Sequence, residues 1–453
     1  MTPPLHALPA GHSDRSLPLM SALSDFLHNL QTPAHLLVAI SGGSDSTGLL
    51  VGLASLMSSL PEIRLSAATI DHALRPEAAD EAQAVARLCA ELGISHVTRR
   101  WEGEKPATGI SAAAREARYS LLSAIAAEIG ATAIVTGHTV DDQVETVVMR
   151  AGRLAASDAD DRGGSGLPIS SSTGLSGMAP ATLLDARHWV LRPLLHTSRA
   201  DIRAYLIDVG IGWIDDPSNL DPHYERVRTR QALASDVSAI DAGVISAAAQ
   251  ARARLAQQAA DWLAAHATVE HAIIARIDPA GLAENPATTR HALCALAAVL
   301  GGRPHMLSRE NAGRLMTFVE SGTHGRMTAG RVVFDRRRDG FYMLRENRNL
   351  PQLIVKADRA AIWDERFLVA NHAGHPVEIL PGIADAEVFE TVPPGLARLA
   401  ARVSPHVADG HDAEVVMMPR LALFDRFLPV FDLPLANRIA VLMGNNTYLL
   451  PPV

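Results

Sequence analysis

The stretch Ser41-Gly42-Gly43-Ser44-Asp45-Ser46 lies between a short apolar run, LLVAI, and an apolar helix-like segment that reaches Leu60. Gly42 and Gly43 let the backbone turn sharply and come close to a ligand. The helix that follows offers unpaired N–H groups and the positive end of its dipole to an anion. Ser41, Ser44 and Ser46 add hydroxyl donors. The pattern does not fit G-x-x-x-x-G-K-[ST], so the common lysine-bearing phosphate loop is not expected. An acid where that loop has its lysine suggests a metal bridge to phosphates, with Asp45 as a hard oxygen ligand for Mg2+. A plain strand-to-helix turn capped by Ser and Asp explains the same six residues structurally.

Two further polar clusters stand where strands are predicted to end. Asp71-His72 follows RLSAATI, and His138 with Asp141 and Asp142 follows ATAIVTG. In an open α/β sheet, ligands bind beyond the carboxyl ends of the strands. Asp142 is the natural second metal ligand beside Asp45. It also sits in the first turn of a predicted helix, where Thr139 and Asp142 fit a capping pattern. His138 and His72 are equally compatible with satisfied strand-end histidines. Arg115 and Arg118, three apart in SAAAREARY, share one helical face that could bind phosphate or a base edge, or face water.

Short apolar runs alternate with helical stretches from about residue 35. LLVAI, RLSAATIDH, ISHVTRRW and ATAIVTGH read as strands. PEAADEAQAVARLCAELG and ISAAAREARYSLLSAIAAEIG read as helices closed by Gly93 and Gly130. This alternation predicts parallel βαβ units in a doubly wound, Rossmann-like α/β domain. The expected organisation is a loose Pro-rich tail at 1–20, this domain at 21–230, a helical domain at 231–324 in Ala-rich text, and a smaller mixed α/β region at 325–453. Residues 155–174, rich in Gly, Ser and Asp, read as a mobile insertion.

Composition narrows the class. Of 453 residues, 48% are apolar, and no run approaches the ~18 apolar residues of a membrane helix. No basic segment followed by an apolar core opens the chain, so a soluble cytoplasmic protein without membrane contact is expected. Cys89 and Cys294 form no paired motif and read as buried core residues, which speaks against a disulfide framework or a cysteine metal site. The net charge of −8 opposes a nucleic-acid partner at first sight. Residues 301–350, however, hold ten Arg against five Asp/Glu. Arg336, Arg337 and Arg338 in that stretch are candidates for phosphate contacts, with a solvated sheet face as the alternative.

Together these residues resemble the PP-loop ATP pyrophosphatase superfamily, whose S-G-G-x-D-S loop binds the pyrophosphate of ATP. AISGGSDS, IDHALR, SAAAREARY, TGHTVDDQVETVVMR, GLSGM, RPLL and DDPSN occur in the order of the tRNA(Ile)-lysidine synthase family within it, over about residues 35–230. The resemblance implies ATP and Mg2+ as cofactors, with tRNA(Ile) bearing a CAU anticodon and free L-lysine as partners. The implied reaction adenylates the C2 oxygen of the wobble cytidine at position 34. The amine of lysine then displaces AMP and leaves lysidine. By the same resemblance Ser41–Ser46, with Asp71 and His72, would bind ATP, and Asp45 and Asp142 would hold Mg2+. Arg115 and His138 match positions that contact the base and the transition state, and join Asp45 and Asp142 as expected catalytic residues. Arg118, Arg226, Arg228 and Arg230 are expected at the tRNA. Val227 stands where the family usually has an asparagine, which weakens any role carried over from that residue. A homodimer is one expected assembly.

Two other readings stay open at this point. One is another PP-loop enzyme that adenylates a different nucleobase or carbonyl. The other is a non-catalytic nucleotide- or RNA-binding homologue. The absence of a cysteine pair or a terminal cysteine nucleophile disfavours sulfur-carrying and glutaminase-coupled relatives.

Overall fold

The strand AHLLVA (β1, Ala34–Ala39) is buried along nearly its whole length, as a strand covered on both faces must be. It pairs in parallel with β2 (Ile63–Asp71) on one side and β4 (Ala133–Thr136) on the other. β2 pairs in parallel with β3 (Ser95–Arg100), and β4 with β6 (His188–Leu191). β5 (Ala181–Leu184) pairs antiparallel with β6. The resulting order, β5-β6-β4-β1-β2-β3, runs outward from β1 to β3 and then returns to place β4 against β1. The reversal point therefore falls between β1 and β4, where a crevice opens beyond their carboxyl ends. The expected doubly wound α/β sheet is present.

This is a computed structural model that describes residues 18–106, 108–160, 174–215, 225–235, 242–383, 385–408 and 414–453, with the backbone alone at 153–160 and 232–235. The chain divides into two compact units, Met1–Arg252 with Leu450–Val453, and Ala253–Leu449.

In the first unit, the helices are α1 (Pro18–Asn29), α2 (Ser44–Leu56), α3 (Ala78–Glu91), α4 (Ile110–Ile129), α5 (Val140–Asp160), α6 (Arg199–Asp208) and α7 (Glu225–Ser235); α8 (Ala242–His266) starts here. Helix α2 is apolar nearly all round, from Leu49 to Leu53, because sheet and helices enclose it. Two glycines set how closely its neighbours approach. A Cβ on Gly48 would stand 2.3 Å from Ile202 Cγ2 of α6, and one on Gly52 would stand 2.4 Å from Leu23 Cδ1 of α1. The close seating of α6 on α2 matters below, because it brings the first residue of α6 to the first turn of α2.

Several expected boundaries move. Helix α1 begins at Pro18, inside the segment expected as a loose tail; a proline costs nothing at a helix start, where its missing N–H has no partner to lose. Residues 1–17 lie outside the described residues. Helix α5 runs on to Asp160, so the expected insertion at 155–174 begins as helix, favoured by the alanines of RLAAS. Residues 161–173 of that insertion, and 216–224 with most of the DDPSN motif, lie outside the described residues.

In the second unit, the text expected to be purely helical at 231–324 contains the antiparallel pair β7 (Ala267–Glu270) and β8 (Ile274–Ile277). They join β9 (Gly325–Ala329), β10 (Val332–Arg336) and β11 (Phe341–Arg345) in one sheet of order β7-β8-β11-β10-β9. The proposed boundary between 324 and 325 therefore runs through a single sheet. Helices α9 (Pro286–Leu300) and α10 (Arg309–Glu320) belong with it, α9 being buried on almost every side. Two three-stranded antiparallel sheets complete the unit: β12 (Leu353–Val355), β15 (Val377–Pro381) and β16 (Pro405–Val407), and β13 (Arg359–Trp363), β14 (Phe367–Asn371) and β17 (Val415–Pro419). Helices α11 (Pro394–Val403) and α12 (Leu433–Leu442) lie in the same unit, as expected for a mixed α/β region.

A buried ionic node ties this unit together. The Asp364 carboxylate accepts from Arg345 at 3.0 Å, from Arg366 at 2.6 Å and from Arg331. Asp364, Arg345 and Arg366 side chains are almost wholly shielded from solvent. Burial pushes the Arg366 guanidinium down to about 10 against the pull of Asp364. Cys89 and Cys294 are free and buried, as expected, and burial pushes both thiols up to about 11. No helix among the described residues is long and apolar enough to cross a membrane.

Candidate active site

The loop after β1 holds its shape through its own hydroxyls. Ser46 Oγ accepts from Ser41 N at 3.1 Å and donates to Gly43 O at 3.1 Å, and Thr47 Oγ1 donates to Gly42 O at 3.1 Å. Gly42 sits at φ +85°, where a side chain is strained, and a Cβ there would also stand 2.7 Å from Ile214 Cδ1. The first turn of α2 receives no side-chain hydrogen bond from its N-cap residue, Gly43. Its N–H groups and dipole end are thus presented into the crevice between β1 and β4, as an anion site requires.

Across that crevice, β4 ends in Thr136 and the chain turns at Gly137 and His138 into α5. A Cβ on Gly137 would lie 2.6 Å from the Asp45 carbonyl oxygen and 3.0 Å from Ser46 N. Backbone thus meets backbone here, and only glycine permits it. Thr139 and Asp142 form the capping pair that their spacing predicted: Asp142 Oδ2 accepts from Thr139 N at 2.9 Å, and Thr139 Oγ1 faces Asp142 N at 3.4 Å. The other oxygen is turned to the site. Asp142 Oδ1 accepts from Arg226 Nη2 at 2.7 Å and from Arg199 Nη2 at 3.3 Å. One oxygen of Asp142 thus caps α5, while the other accepts from two guanidiniums in the crevice.

Arg199, which the sequence analysis did not single out, joins the two expected metal ligands. Its Nε donates to Asp45 Oδ2 at 2.9 Å while its Nη2 donates to Asp142. It opens α6, whose start is fixed by a capping box between Ser198 and Asp201, and its backbone N–H donates to Asp141 at 2.8 Å. Burial disfavours its charge, but Asp45 and Asp142 outweigh that and raise its pKa. Glu145, also missed, is buried and accepts from Arg226 Nε and Arg230 Nε, each at 2.7 Å. Its only sequence signal is its place three residues after Asp142, on the same face of α5. Asp45, Asp142 and Glu145 are thus matched by Arg199, Arg226 and Arg230, three charges against three.

His138 lies on the rim of the same crevice, with Nδ1 2.9 Å from Thr136 Oγ1. Burial first, and then the nearby Arg192, Arg118, Arg115 and Arg226, hold its pKa well below the ordinary 6.5. It is a neutral imidazole at pH 7. In the unfolded chain it titrates near 6.5, so the folded state binds the proton less readily. The stability it confers is complete above that value and is lost as pH falls from about 6.5 toward the depressed folded value. A His138→Gln variant is accordingly expected to unfold with a weaker pH dependence than the parent between pH 7 and 5, followed as thermal midpoints. An unchanged slope would remove His138 from the account.

Arg115 and Arg118 of α4 face this histidine. Arg115 lies over the Tyr119 ring at 5.0 Å, and neither arginine is paired with a carboxylate among the described residues. Burial works against the charge on Arg118. Arg192, of the RPLL motif, is buried and donates to Ala179 O at 2.8 Å and Thr182 Oγ1 at 2.9 Å. An excess of positive charge around a neutral base suits an anionic ligand.

The remaining expected residues fall elsewhere. Asp71 Oδ1 accepts from Ala73 N at 2.7 Å, and Asp71 borders a cavity of about 330 Å3 with Leu74, Arg75 and Arg100. His72 packs edge-on against Trp101, its Nδ1 is buried and has no partner among the described residues, and burial lowers its pKa. Neither makes a hydrogen bond to Ser41–Ser46 among the described residues. Arg228 is exposed, whereas Val227 is buried. In the second unit, Arg336 donates to Val319 O, Arg337 donates to buried Asp335 at 3.1 Å, and Arg338 is exposed. Two of the three residues in that basic run thus have partners within their own fold.

The carboxylates fit a magnesium site. Mg2+ is usually held by one or two carboxylates together with substrate phosphates and water rather than by a full protein cage. Asp45 and Asp142 converge on one cation, the Arg199 guanidinium, beside an uncapped helix end. No cluster of three or more His, Cys, Asp or Glu able to hold a metal occurs among the described residues.

A glycine-serine loop, an uncapped helix end and a facing aspartate at the reversal point of a parallel sheet define a PP-loop protein. A family model described as a PP-loop domain matches residues 17–237. The chain is 42% identical to the tRNA(Ile)-lysidine synthase of Rhizobium meliloti over 96% of this chain and 97% of that one. It is 38% identical to the tRNA(Ile)-lysidine synthase of Mesorhizobium japonicum over 93% of each. The chain belongs to the tRNA(Ile)-lysidine synthase family. Among solved structures, the U34-tRNA thiolase NcsA from Methanococcus maripaludis with its [4Fe-4S] cluster is 15% identical with a TM-score of 0.39, over 52% of this chain and 78% of that one, a likeness too slight to build on.

Proposed function

We propose that this chain ligates free lysine to C2 of the wobble cytidine of tRNA(Ile) with a CAU anticodon, in two steps at one site. In the first, the C2 oxygen attacks the α-phosphorus of ATP, the bond to the β-phosphate breaks, and pyrophosphate leaves. In the second, the lysine amine attacks C2, the bond from C2 to the adenylate oxygen breaks, AMP leaves and a proton is released. The convergence of the Ser41–Ser46 loop, Asp45 and Asp142 on the crevice between β1 and β4, in a chain of this family, carries the reading.

The residues divide the work by chemistry. The N–H groups opening α2, with Ser41 and Ser44, receive the pyrophosphate. Asp45 and Asp142 hold Mg2+, which supplies charge neutralisation at the phosphates. Arg115 and Arg118 stabilise charge that develops on the leaving group or the activated base. His138, kept neutral, donates or accepts a hydrogen bond at the reacting oxygen without adding charge. Asp71 and His72, at the end of the next strand, bound the nucleoside end of ATP. Arg226, Arg228 and Arg230 on α7, and Arg338 with its neighbours Arg336 and Arg337, contact tRNA phosphates. The wobble base must leave its stack to reach the site, which costs least in an anticodon loop. A cytoplasmic location and a homodimer belong to the same proposal.

Incubation of the purified protein with ATP, radiolabelled lysine and a tRNA(Ile) transcript bearing CAU tests it. Label is expected to enter the tRNA, to need ATP, and to vanish when cytidine 34 is replaced. AMP release without lysine incorporation would point to another PP-loop adenylating enzyme. No AMP at all from folded protein that binds tRNA would leave a binding homologue.

A further inference from the structure

We propose that Arg199 is a place-holder that keeps bare divalent cations out of the site until a nucleotide arrives. The proposal rests on Asp45 and Asp142 being the metal ligands. In this structure the Arg199 guanidinium lies between them, 2.9 Å from Asp45 and 3.3 Å from Asp142. It fills the position a bridging cation would take. Arg226 adds a second guanidinium on the same Asp142 oxygen at 2.7 Å. Arg226 is held in turn by Glu145, which also engages Arg230.

The consequence is electrostatic. Asp45, Asp142 and Glu145 are each met by a guanidinium, and Asp141 accepts from the Arg199 backbone N–H. A bare Mg2+ would give up much of its water to enter a site whose two ligand carboxylates already hold a cation. Magnesium bound to ATP differs, because the triphosphate more than cancels the metal charge and offers Arg199 new oxygen partners. Arg199 would then exchange its carboxylates for phosphates, which would leave Asp45 and Asp142 to hold the metal.

The anchoring of Arg199 suits such an exchange. Its backbone is fixed by the Ser198–Asp201 capping box and by the N–H bond to Asp141, and α6 is pressed onto α2 at Gly48. No backbone has to move: the Arg199 side chain leaves both carboxylates and Arg226 gives up Asp142 Oδ1. Arg226 and Arg230 keep their grip on buried Glu145.

Mn2+ binding to the full chain, read by loss of the free-ion EPR signal, tests this. The parent protein is expected to take up no Mn2+ alone at millimolar concentration, but to take it up with α,β-methylene-ATP present. Arg199→Met, which keeps length without charge, is expected to bind Mn2+ without nucleotide at least about tenfold more tightly than the parent. Arg199→Lys, which keeps the charge, should exclude it. Adding Asp45→Asn to Arg199→Met should abolish the new binding. Equal behaviour of parent and Arg199→Met toward bare Mn2+, whether both bind or neither does, overturns the place-holder. Uptake of bare Mn2+ by the parent overturns it even if Arg199→Met fails to fold. No uptake by the parent with the analogue, or binding that survives Asp45→Asn, overturns the metal assignment instead. A merely structural arginine would not gain metal affinity on removal.

Discussion

Replacing Asp45 by Asn is expected to lower tRNA-dependent AMP formation at least about a thousandfold while leaving tRNA affinity unchanged. The substitution keeps size and hydrogen-bonding reach but removes the charge that would hold a cation against the phosphates, and metal stabilisation of a transferring phosphoryl group supplies several kcal/mol. Folding should persist, because Asp45 stands on a partly exposed rim and its contacts are to Ser44 and Arg199. Arg199 keeps its partner Asp142. Single-turnover AMP release and filter binding of tRNA separate the two effects. A loss of less than about tenfold in AMP release, or a parallel loss of tRNA binding, would take Asp45 out of the metal role.

The second large effect is expected at Gly137. A methyl group there would meet the Asp45 carbonyl oxygen at 2.6 Å, its carbonyl carbon at 2.8 Å and Ser46 N at 3.0 Å. These are main-chain atoms and cannot swing aside. Gly137→Ala must therefore push the loop away from β4 or distort the start of α5. We expect about a hundredfold loss in the rate of adenylation, since a shift near 1 Å in a positioned phosphate costs that much. A loss of about 1–3 kcal/mol in stability should accompany it, the usual cost of overpacking. Gly43→Ala is the control for stability: its φ of −67° suits any residue, and its Cβ would meet only Ser41 Oγ at 3.8 Å. Denaturant melts and single-turnover rates of the two variants check the contrast, and equal stability losses would refute it.

Much of the catalytic unit was legible from local pattern. The alternation of apolar runs and glycine-closed helices gave away β1 to β4 and α2 to α5, since buried parallel strands need continuous apolar text and their helices an amphipathic face. Ser41–Ser46, His138 and Asp142 were legible because each follows such a strand. Arg199 was not. Its contact with Asp45 joins residues 154 positions apart, and its own neighbourhood, TSRAD, announces only a capped helix start. Glu145 was hidden in the same way, as one more acid on a helix whose exposed and buried faces depend on α7. The pair β7 and β8 escaped because ATVE and IARI are four residues each, set in alanine-rich text with a strong helical bias. Their strand character comes from pairing with each other and, for β8, with β11. Arg336 looked like part of a surface patch because nothing local marks Val319 O as its partner, whereas the partner of Arg337, Asp335, stood two residues away and gave no sign that it is buried.

The ionic node at Asp364 constrains how this protein can be inherited. It joins Arg345, at the end of a strand in the five-stranded sheet, to Asp364 and Arg366, at the turn between β13 and β14. Recombination between homologues with a crossover between residues 345 and 364 could replace the acid and leave guanidiniums stranded in the interior, a change that costs several kcal/mol. Viable chimaeras should therefore inherit residues 331–366 as one block, with both crossovers outside it.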